Sequence, residues 1–313
     1  MKNIFSILIL SCLASSLSAQ FNTGRTWSDF YLFDPKIANP AFAGLNEKQN
    51  LLLVADFDMQ PSYATSVNGY MLSGDSKVEG IGGAVGVVIG INSSDIFSSY
   101  SQSVMYAYQH KVSADAELGI GMGVNLNQYA FYLFSDWDGQ YTPYGQLPEG
   151  NVNGVNADVD LGLSYKYKSF LLGLSMQNAA ASKAKFTDGL SAYNSRQVNV
   201  FSQTIFRLGP KFSLEPTLMY VLYLPRTYSS QSILDVNLLL RFSNKVFIGA
   251  KFSPYKSYSN DYPVGPVSVY AGLNLTDSFQ VAMRARLNMW SMENQYSDSY
   301  VGVMLKYGFN NKM

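Results

Sequence analysis

Apolar and polar residues alternate through several long segments, and this alternation constrains the fold more than any other feature of the chain. One such segment places Leu118, Ile120, Met122, Val124 and Leu126 between glycines and asparagines. A period of two is the signature of β-strands with one apolar and one polar face. Soluble strands usually span about 5 or 6 residues, whereas a tilted strand needs about 9 to 11 to cross a bilayer. The length of the alternating segments therefore favours transmembrane strands over the alternative, a soluble β-sandwich.

The composition limits the other possibilities. Apolar residues make up 47% of the chain, yet beyond the first residues no run of about 18 apolar residues occurs, which argues against helical membrane spans. The 22 basic residues balance the 22 acidic ones, and only 14% of residues are charged, below the roughly 25% of ordinary soluble domains. This balance argues against nucleic acid as a partner.

Connections between the alternating segments differ in length. Short turns are predicted near 111–115, 169, 209, 243 and 277, and long connections at 131–152, 181–195, 225–231, 254–263 and 290–297. Short periplasmic turns and long extracellular loops are typical of outer-membrane barrels. The sequence thus predicts an all-β fold, a transmembrane antiparallel outer-membrane β-barrel of about 14 strands. Its outward face would contact outer-membrane lipids.

Charged residues recur on the polar face of the strands. A cation that faces lipid near the midplane costs roughly 2 to 4 kcal/mol, so these residues are expected to point into the lumen. Two interpretations remain open: the charges pair with one another and fill the lumen, or they line a path for a solute. The residues are Asp158, Asp160, Arg207, Asp235, Arg241, Lys251, Arg284 and Arg286.

The N-terminus reads as a signal peptide. A charged start, an apolar run and Leu17-Ser18-Ala19 predict cleavage after Ala19, so residues 1–19 would be removed. Cys12, the only cysteine, lies within this leader, and a lipoprotein with Cys12 as the lipidated residue is the alternative. Residues 20–49 are then predicted to form a plug or cap segment, and residues 50–313 the barrel.

The segment from Tyr31 to Gly44 interrupts the strand pattern. Pro35 and Pro40 follow turn-forming Asp34 and Asn39, so we expect extended turns and neither a helix nor a central strand. A rigid segment beside a sheet is more typical of a plug or cap on the barrel than of a catalytic loop.

These residues resemble a known family. Phe-Tyr-Leu-Phe-Asp-Pro at 30–35 and Asn-Pro-Ala-Phe-Ala-Gly at 39–44 are similar to the N-terminal signature of PorP/SprF outer-membrane proteins of the type IX secretion and gliding system. Asp34 and Phe42 depart from it, since the family usually has Asn and often Tyr there, and the Arg and Trp of the next family segment have no counterpart in 55–61. The matching residues are Tyr31, Phe33, Pro35, Asn39, Pro40, Ala41, Ala43 and Gly44.

The resemblance implies a non-enzymatic role in secretion and gliding. Such a barrel would help a secreted adhesin-like protein to reach or stay on the cell surface, and would contact that protein, periplasmic components of the secretion system, or both. A channel for a small solute is the alternative from another class, and an outer-membrane hydrolase is a more distant one.

The long connection at 131–152 is rich in aromatic residues. Part of this set would form the aromatic girdle at the membrane interface. The rest exceeds what a solvated loop needs, and Tyr and Trp are preferred anchors of protein interfaces. The candidate partner-binding residues are Phe134, Trp137, Tyr141 and Tyr144.

Two patterns with potential chemistry are weak. His110, the only histidine, is predicted beside a short turn, away from partners for acid–base or nucleophilic catalysis. Asp136-Trp137-Asp138-Gly139 has two carboxylates and a glycine, as calcium loops do, but lacks the later bidentate acid. The sequence therefore predicts no catalytic, metal or cofactor site.

Overall fold

The structure is a computed structural model of the 313-residue chain. It describes residues 30–45, 49–58, 68–93, 97–133, 150–186, 191–224, 231–253, 255–256, 263–264, 267–287 and 300–309. The predicted leader and the candidate loop residues Phe134, Trp137, Tyr141 and Tyr144 lie outside these ranges.

Fourteen antiparallel strands form a closed barrel. Each strand pairs with the next, and the first and last strands pair from Gln49↔Phe309 to Asp58↔Tyr300. Closure gives every strand two neighbours, so no edge is left unpaired in the membrane. The predicted barrel and its strand number are confirmed. The barrel strands are β1 (Gln49–Asp58), β2 (Asn68–Val78), β3 (Gly83–Ser93), β4 (Phe97–Lys111), β5 (Ala116–Leu133), β6 (Gly150–Tyr167), β7 (Phe170–Gln177), β10 (Arg196–Thr204), β12 (Phe212–Leu224), β13 (Gln231–Phe242), β14 (Val246–Phe252), β17 (Val267–Asn274), β18 (Phe279–Leu287) and β19 (Tyr300–Phe309).

Five short strands lie outside this count. A small hairpin follows β7 and pairs with β6 at Gly154↔Phe186 and Val155↔Lys185. The predicted long loop at 181–195 is therefore partly an extension of the sheet. The short strands are β8 (Lys183–Phe186), β9 (Ser191–Tyr193), β11 (Phe206–Arg207), β15 (Tyr255–Lys256) and β16 (Pro263–Val264).

The alternation in the sequence separates the two faces of the wall. On β5, Ile120, Met122 and Val124 are more than half exposed on the outer face, while Asn125 on the inner face is 1% exposed. Among the described residues, no helix is long and apolar enough to cross a bilayer. The strands thus carry an apolar outer belt, as a lipid-facing barrel requires.

One end of the barrel carries tight turns. These turns lie at 112–115, 168–169, 208–211, 243–245 and 275–278, with the 3₁₀ turn Glu79–Ile81 between β2 and β3. In outer-membrane barrels the end with short turns usually faces the periplasm, and we expect the same orientation here. His110 is exposed there, near the end of β4.

Candidate functional site: the N-terminal plug inside the barrel

Residues 30–45 lie inside the barrel, where almost all of them are buried. We call this segment the plug. It contains the 3₁₀ turns Pro35–Ile37 and Pro40–Phe42, each with its proline at the first position. The expectation of extended turns is therefore wrong, because the fixed φ of proline suits the first residue of a helical turn, where its missing N–H is no loss. Asn39 caps the second turn by accepting a hydrogen bond from the Ala41 N–H at 2.9 Å.

Two glycines let the plug backbone approach the wall formed by β5 and β6. A Cβ on Gly121 would lie 2.3 Å from the backbone nitrogen of Ala41, and one on Gly162 would lie 2.0 Å from Oδ1 of Asn39. Real Cβ atoms do not come so close to other atoms, so these positions need glycine. The amide of Asn39 also donates to the backbone carbonyl of Leu163 at 2.9 Å.

Side chains of the strands β4, β7 and β10 donate hydrogen bonds to the carbonyl groups of the plug. Ser175 and Asn199 both donate to the Ala38 carbonyl, at 2.7 and 3.1 Å. Gln177 donates to the Ile37 carbonyl at 2.9 Å, and Gln109 to the Ala43 carbonyl at 2.5 Å. Buried carbonyls need such partners because unpaired buried polar groups are costly. These four side chains are therefore part of the plug's seat.

A buried ionic cluster holds the plug to β2. The Lys36 ammonium lies 2.5 Å from the Asp34 carboxylate and 3.1 Å from that of Asp75. Ser73 donates to Asp34, and the Gly44 N–H donates to Asp75 at 2.6 Å. Burial alone would raise the pKa of the Asp34 carboxyl, but the neighbouring ammonium groups outweigh it and hold that pKa below its usual value. Asp34 and Lys36 therefore form an ion pair at neutral pH, since the pKa of the Lys36 ammonium, although lowered by burial, is raised overall by the two carboxylates beside it.

Aromatic rings connect the plug to the opposite wall. Phe33 packs against Phe247 and Tyr270, with ring centroids 5.5 and 5.8 Å apart. Phe42 packs against Phe201 at 5.2 Å. Centroid distances of about 4.5 to 7 Å in tilted or edge-to-face arrangements are favourable for aromatic pairs.

Charges on this wall also meet plug side chains. Lys251 and Asp235 form an ion pair of 2.8 Å, and the Tyr31 hydroxyl donates to Asp235 at 3.1 Å. Arg284 pairs with Asp56 at 2.8 Å, and its guanidinium carbon lies 4.7 Å from the centre of the Phe30 ring. These charged groups therefore take part in holding the plug as well as in pairing with each other.

Asp158 and Asp160 anchor a different segment. After β7 the chain bends into the lumen at residues 178–182, with positive φ at Asn178 and Ala181. Asp158 accepts hydrogen bonds from the N–H groups of Ala180 and Ser182, at 2.9 and 2.8 Å, and Asp160 accepts one from the Asn178 N–H at 2.9 Å. Both carboxylates thus satisfy the backbone of this bend.

The remaining predicted lumen cations differ in exposure. Arg241 is largely buried and pairs with Glu215 at 2.7 Å, and Arg286 is half-buried near the Tyr300 ring. Arg207, expected inside, is exposed at the short-turn end, because water at the membrane surface removes the cost of a cation there.

Sequence reasoning missed Lys36 and Lys306. Lys306 of β19 donates to the Phe33 carbonyl at 2.6 Å. The sequence does carry a signal for both residues. Lys36 lies within the motif that is expected to plug or cap the barrel, and Lys306 lies at an inward-facing position of the last strand. Within the described part of the chain, no group of three or more His, Cys, Asp or Glu side chains could hold a metal ion.

Comparison with solved structures supports the fold. The Ralstonia pickettii toluene transporter TbuX matches with a TM-score of 0.53 and 12% identity, over 96% of this chain and 97% of that one. The Pseudomonas putida toluene transporter TodX matches with a TM-score of 0.53 and 13% identity, again over 96% and 97%. At these identities the likeness shows the barrel fold alone. No curated protein matches the sequence significantly.

Comparison with protein families gives the assignment. Residues 22–307 match the family described as type IX secretion system membrane protein PorP/SprF, a span that includes the plug and every barrel strand but the end of the last. With the membrane-spanning barrel, this match assigns the protein to the outer membrane. The chain belongs to the PorP/SprF family of type IX secretion system membrane proteins.

Proposed function

We propose that the protein is a non-enzymatic barrel that binds a secreted, adhesin-like protein on behalf of the type IX secretion and gliding system. The observation that carries this proposal is the plug: a segment seated by hydrogen bonds, ion pairs and ring contacts around the lumen obstructs passage through it. An obstructed barrel is better suited to holding a partner at the membrane than to conducting solutes.

On the extracellular side, the surface proposed to bind the partner is the aromatic-rich connection at 131–152. Truncation of a buried interface aromatic typically costs on the order of 2 kcal/mol, or roughly thirtyfold in affinity. Trp137→Ala with Tyr141→Ala should therefore leave an inserted barrel that no longer captures its secreted partner.

The experiment is co-purification of the tagged barrel with the secreted protein, normalised to the amount of inserted barrel. Phe212→Ala with Phe242→Ala is the matched control, because these two rings pack together on the outer face at the opposite end. Unchanged recovery per barrel in the loop variant would assign the loop aromatics to the membrane interface and refute their role in binding.

The competing function is a small-solute channel. The titles of the structural neighbours describe transporters of toluene, and the likeness of those proteins to this chain is one of fold. Planar-bilayer recordings of the purified protein test this function. We expect little or no steady conductance, and sustained porin-like openings would favour a channel.

A further inference from the structure

A cavity remains beside the plug at the short-turn end of the barrel. Its volume is about 580 Å³, within the roughly 300–1,000 Å³ of pockets that hold drug-sized ligands. Plug residues Leu32, Phe33 and Leu45 form its apolar floor, and the turns after β6, β13 and β17 form its rim. Lys168, Asn244 and Thr276 on this rim are exposed, so the cavity opens towards the periplasm. We call it the vestibule.

Four lysines line the vestibule: Lys166, Lys168, Lys245 and Lys306. Within the described part of the chain, Lys166 and Lys245 form no ion pair. Lys168 is exposed, and its ammonium lies 3.9 Å from the carboxylate of Asp115, which is a long and weak ion pair.

Four acids also line the vestibule, and those of the plug and of β2 and β12 lie in ion pairs. Asp34 and Asp75 pair with Lys36, and Glu215 pairs with Arg241 at 2.7 Å. Asp277 on the exposed rim is the fourth. The four lysines and Arg241 thus exceed the four acids of the vestibule by one charge, although the whole chain has no net charge, and Lys166 and Lys245 stand apart from the ion pairs of the cavity.

We propose that the vestibule binds a short acidic segment of an extended polypeptide that arrives from the periplasm. Apolar side chains of the segment would pack on Leu32, Phe33 and Leu45, and its carboxylates would lie near Lys166 and Lys245. The cavity is too large for a small inorganic anion, and its mixture of apolar floor and cationic rim suits alternating apolar and acidic residues. The proposal deepens the proposed function, on which it rests for the partner being a protein, and adds a second contact on the periplasmic side.

The test uses the full-length protein in nanodiscs and a fluorescein-labelled peptide, acetyl-Leu-Glu-Asp-Phe-Glu-Leu-amide, with binding measured by fluorescence anisotropy. A second peptide carries Gln and Asn in place of Glu and Asp. We expect the acidic peptide to bind more tightly, and its affinity to fall as salt is added, because exposed charges are screened.

The decisive variant is Lys166→Gln with Lys245→Gln. If each charge contributes about 0.5 to 1 kcal/mol, the acidic peptide should bind roughly five- to thirtyfold more weakly. The matched control is Lys183→Gln with Lys185→Gln, which removes two exposed lysines from the opposite end of the barrel and should leave peptide binding unchanged. Lys166 is half-buried and the other three lysines are exposed, and glutamine keeps the polar character of each position, so both variants should insert normally.

The outcomes separate this proposal from the proposed function. Equal binding of the two peptides, no binding of either, or equal behaviour of the two lysine variants would overturn the vestibule site, whatever the secreted partner does. Conversely, if the acidic peptide binds as expected but Trp137→Ala with Tyr141→Ala still captures the secreted partner, the vestibule site stands and the extracellular loop site fails.

Discussion

The two halves of the barrel wall hold the plug in different ways. The wall around β5 and β6 has no side chains at Gly121 and Gly162, so the plug backbone lies directly against it. Side chains of neighbouring strands donate hydrogen bonds to the plug carbonyls. The wall from β10 to β19 presents Phe247, Tyr270 and Arg284, which contact plug side chains. The first wall therefore mainly contacts the backbone of the plug, and the second, apart from Asn199 and Lys306, mainly contacts its side chains. Substitutions that separate these two kinds of contact test the comparison.

The largest effect should come from the ionic cluster between the plug and β2. Lys36→Met leaves the buried carboxylates of Asp34 and Asp75 without their cation, and loss of one partner of a buried pair costs about 3 to 5 kcal/mol. We expect a lower denaturant midpoint for loss of heat-resistant gel mobility. The control is Lys168→Met, whose pair with Asp115 is exposed. Equal midpoints for the two variants would mean that the cluster does not stabilise the closed barrel.

The backbone-recognising wall is tested by Gly121→Ala, whose new methyl group would meet the plug backbone. Overpacking of this kind costs about 1 to 3 kcal/mol, so the plug should leave its seat more often. Trypsin cleavage after Lys36 measures that exposure. Gly123→Ala is the matched control, because Gly123 lies on the same face of β5. A Cβ at this position would lie 3.6 Å from its nearest neighbours, an ordinary van der Waals distance. Equal cleavage rates in these two variants would contradict the close fit.

The side-chain-recognising wall is tested by Phe33→Leu. This change removes two aromatic pairs, each contributing about 0.5 to 1.5 kcal/mol, without altering the plug backbone. The two pairs together amount to about 1 to 3 kcal/mol, so cleavage after Lys36 should increase to an extent similar to that in Gly121→Ala. Phe212→Leu breaks a ring pair on the outer face and should leave the plug protected. An unchanged cleavage rate in Phe33→Leu would mean that the ring contacts do not hold the plug in place.

The smallest effect on stability is expected from Pro35→Ala with Pro40→Ala. The two prolines restrict the unfolded chain and contribute about 0.4 to 1 kcal/mol each. Heat-resistant mobility should persist, while capture of the secreted partner should fall if the shape of the plug matters for function. Loss of heat-resistant mobility would instead make the plug part of the folding core.

Local patterns in the sequence were sufficient to predict the barrel, but they did not predict the contacts of the plug. Alternation along each strand predicted the 14 strands, because it reflects the two environments of one wall. The pairing of Lys36 with Asp75 joins separate parts of the chain, and no local pattern encodes it. The bend at 178–182 was also missed, since its acceptors, Asp158 and Asp160, precede it on another strand and read simply as lumen charges.

The contact between Lys306 and the Phe33 carbonyl joins residues 273 positions apart. It bears on how the plug and the seam of the barrel depend on each other. Lys306 belongs to β19, which forms the seam with β1, so this hydrogen bond connects the first described segment of the chain to the strand that closes the barrel. Release of the plug would leave the Lys306 ammonium and the Phe33 carbonyl without this bond, and an unpaired buried polar group is costly. Departure of the plug and opening of the seam are therefore energetically linked.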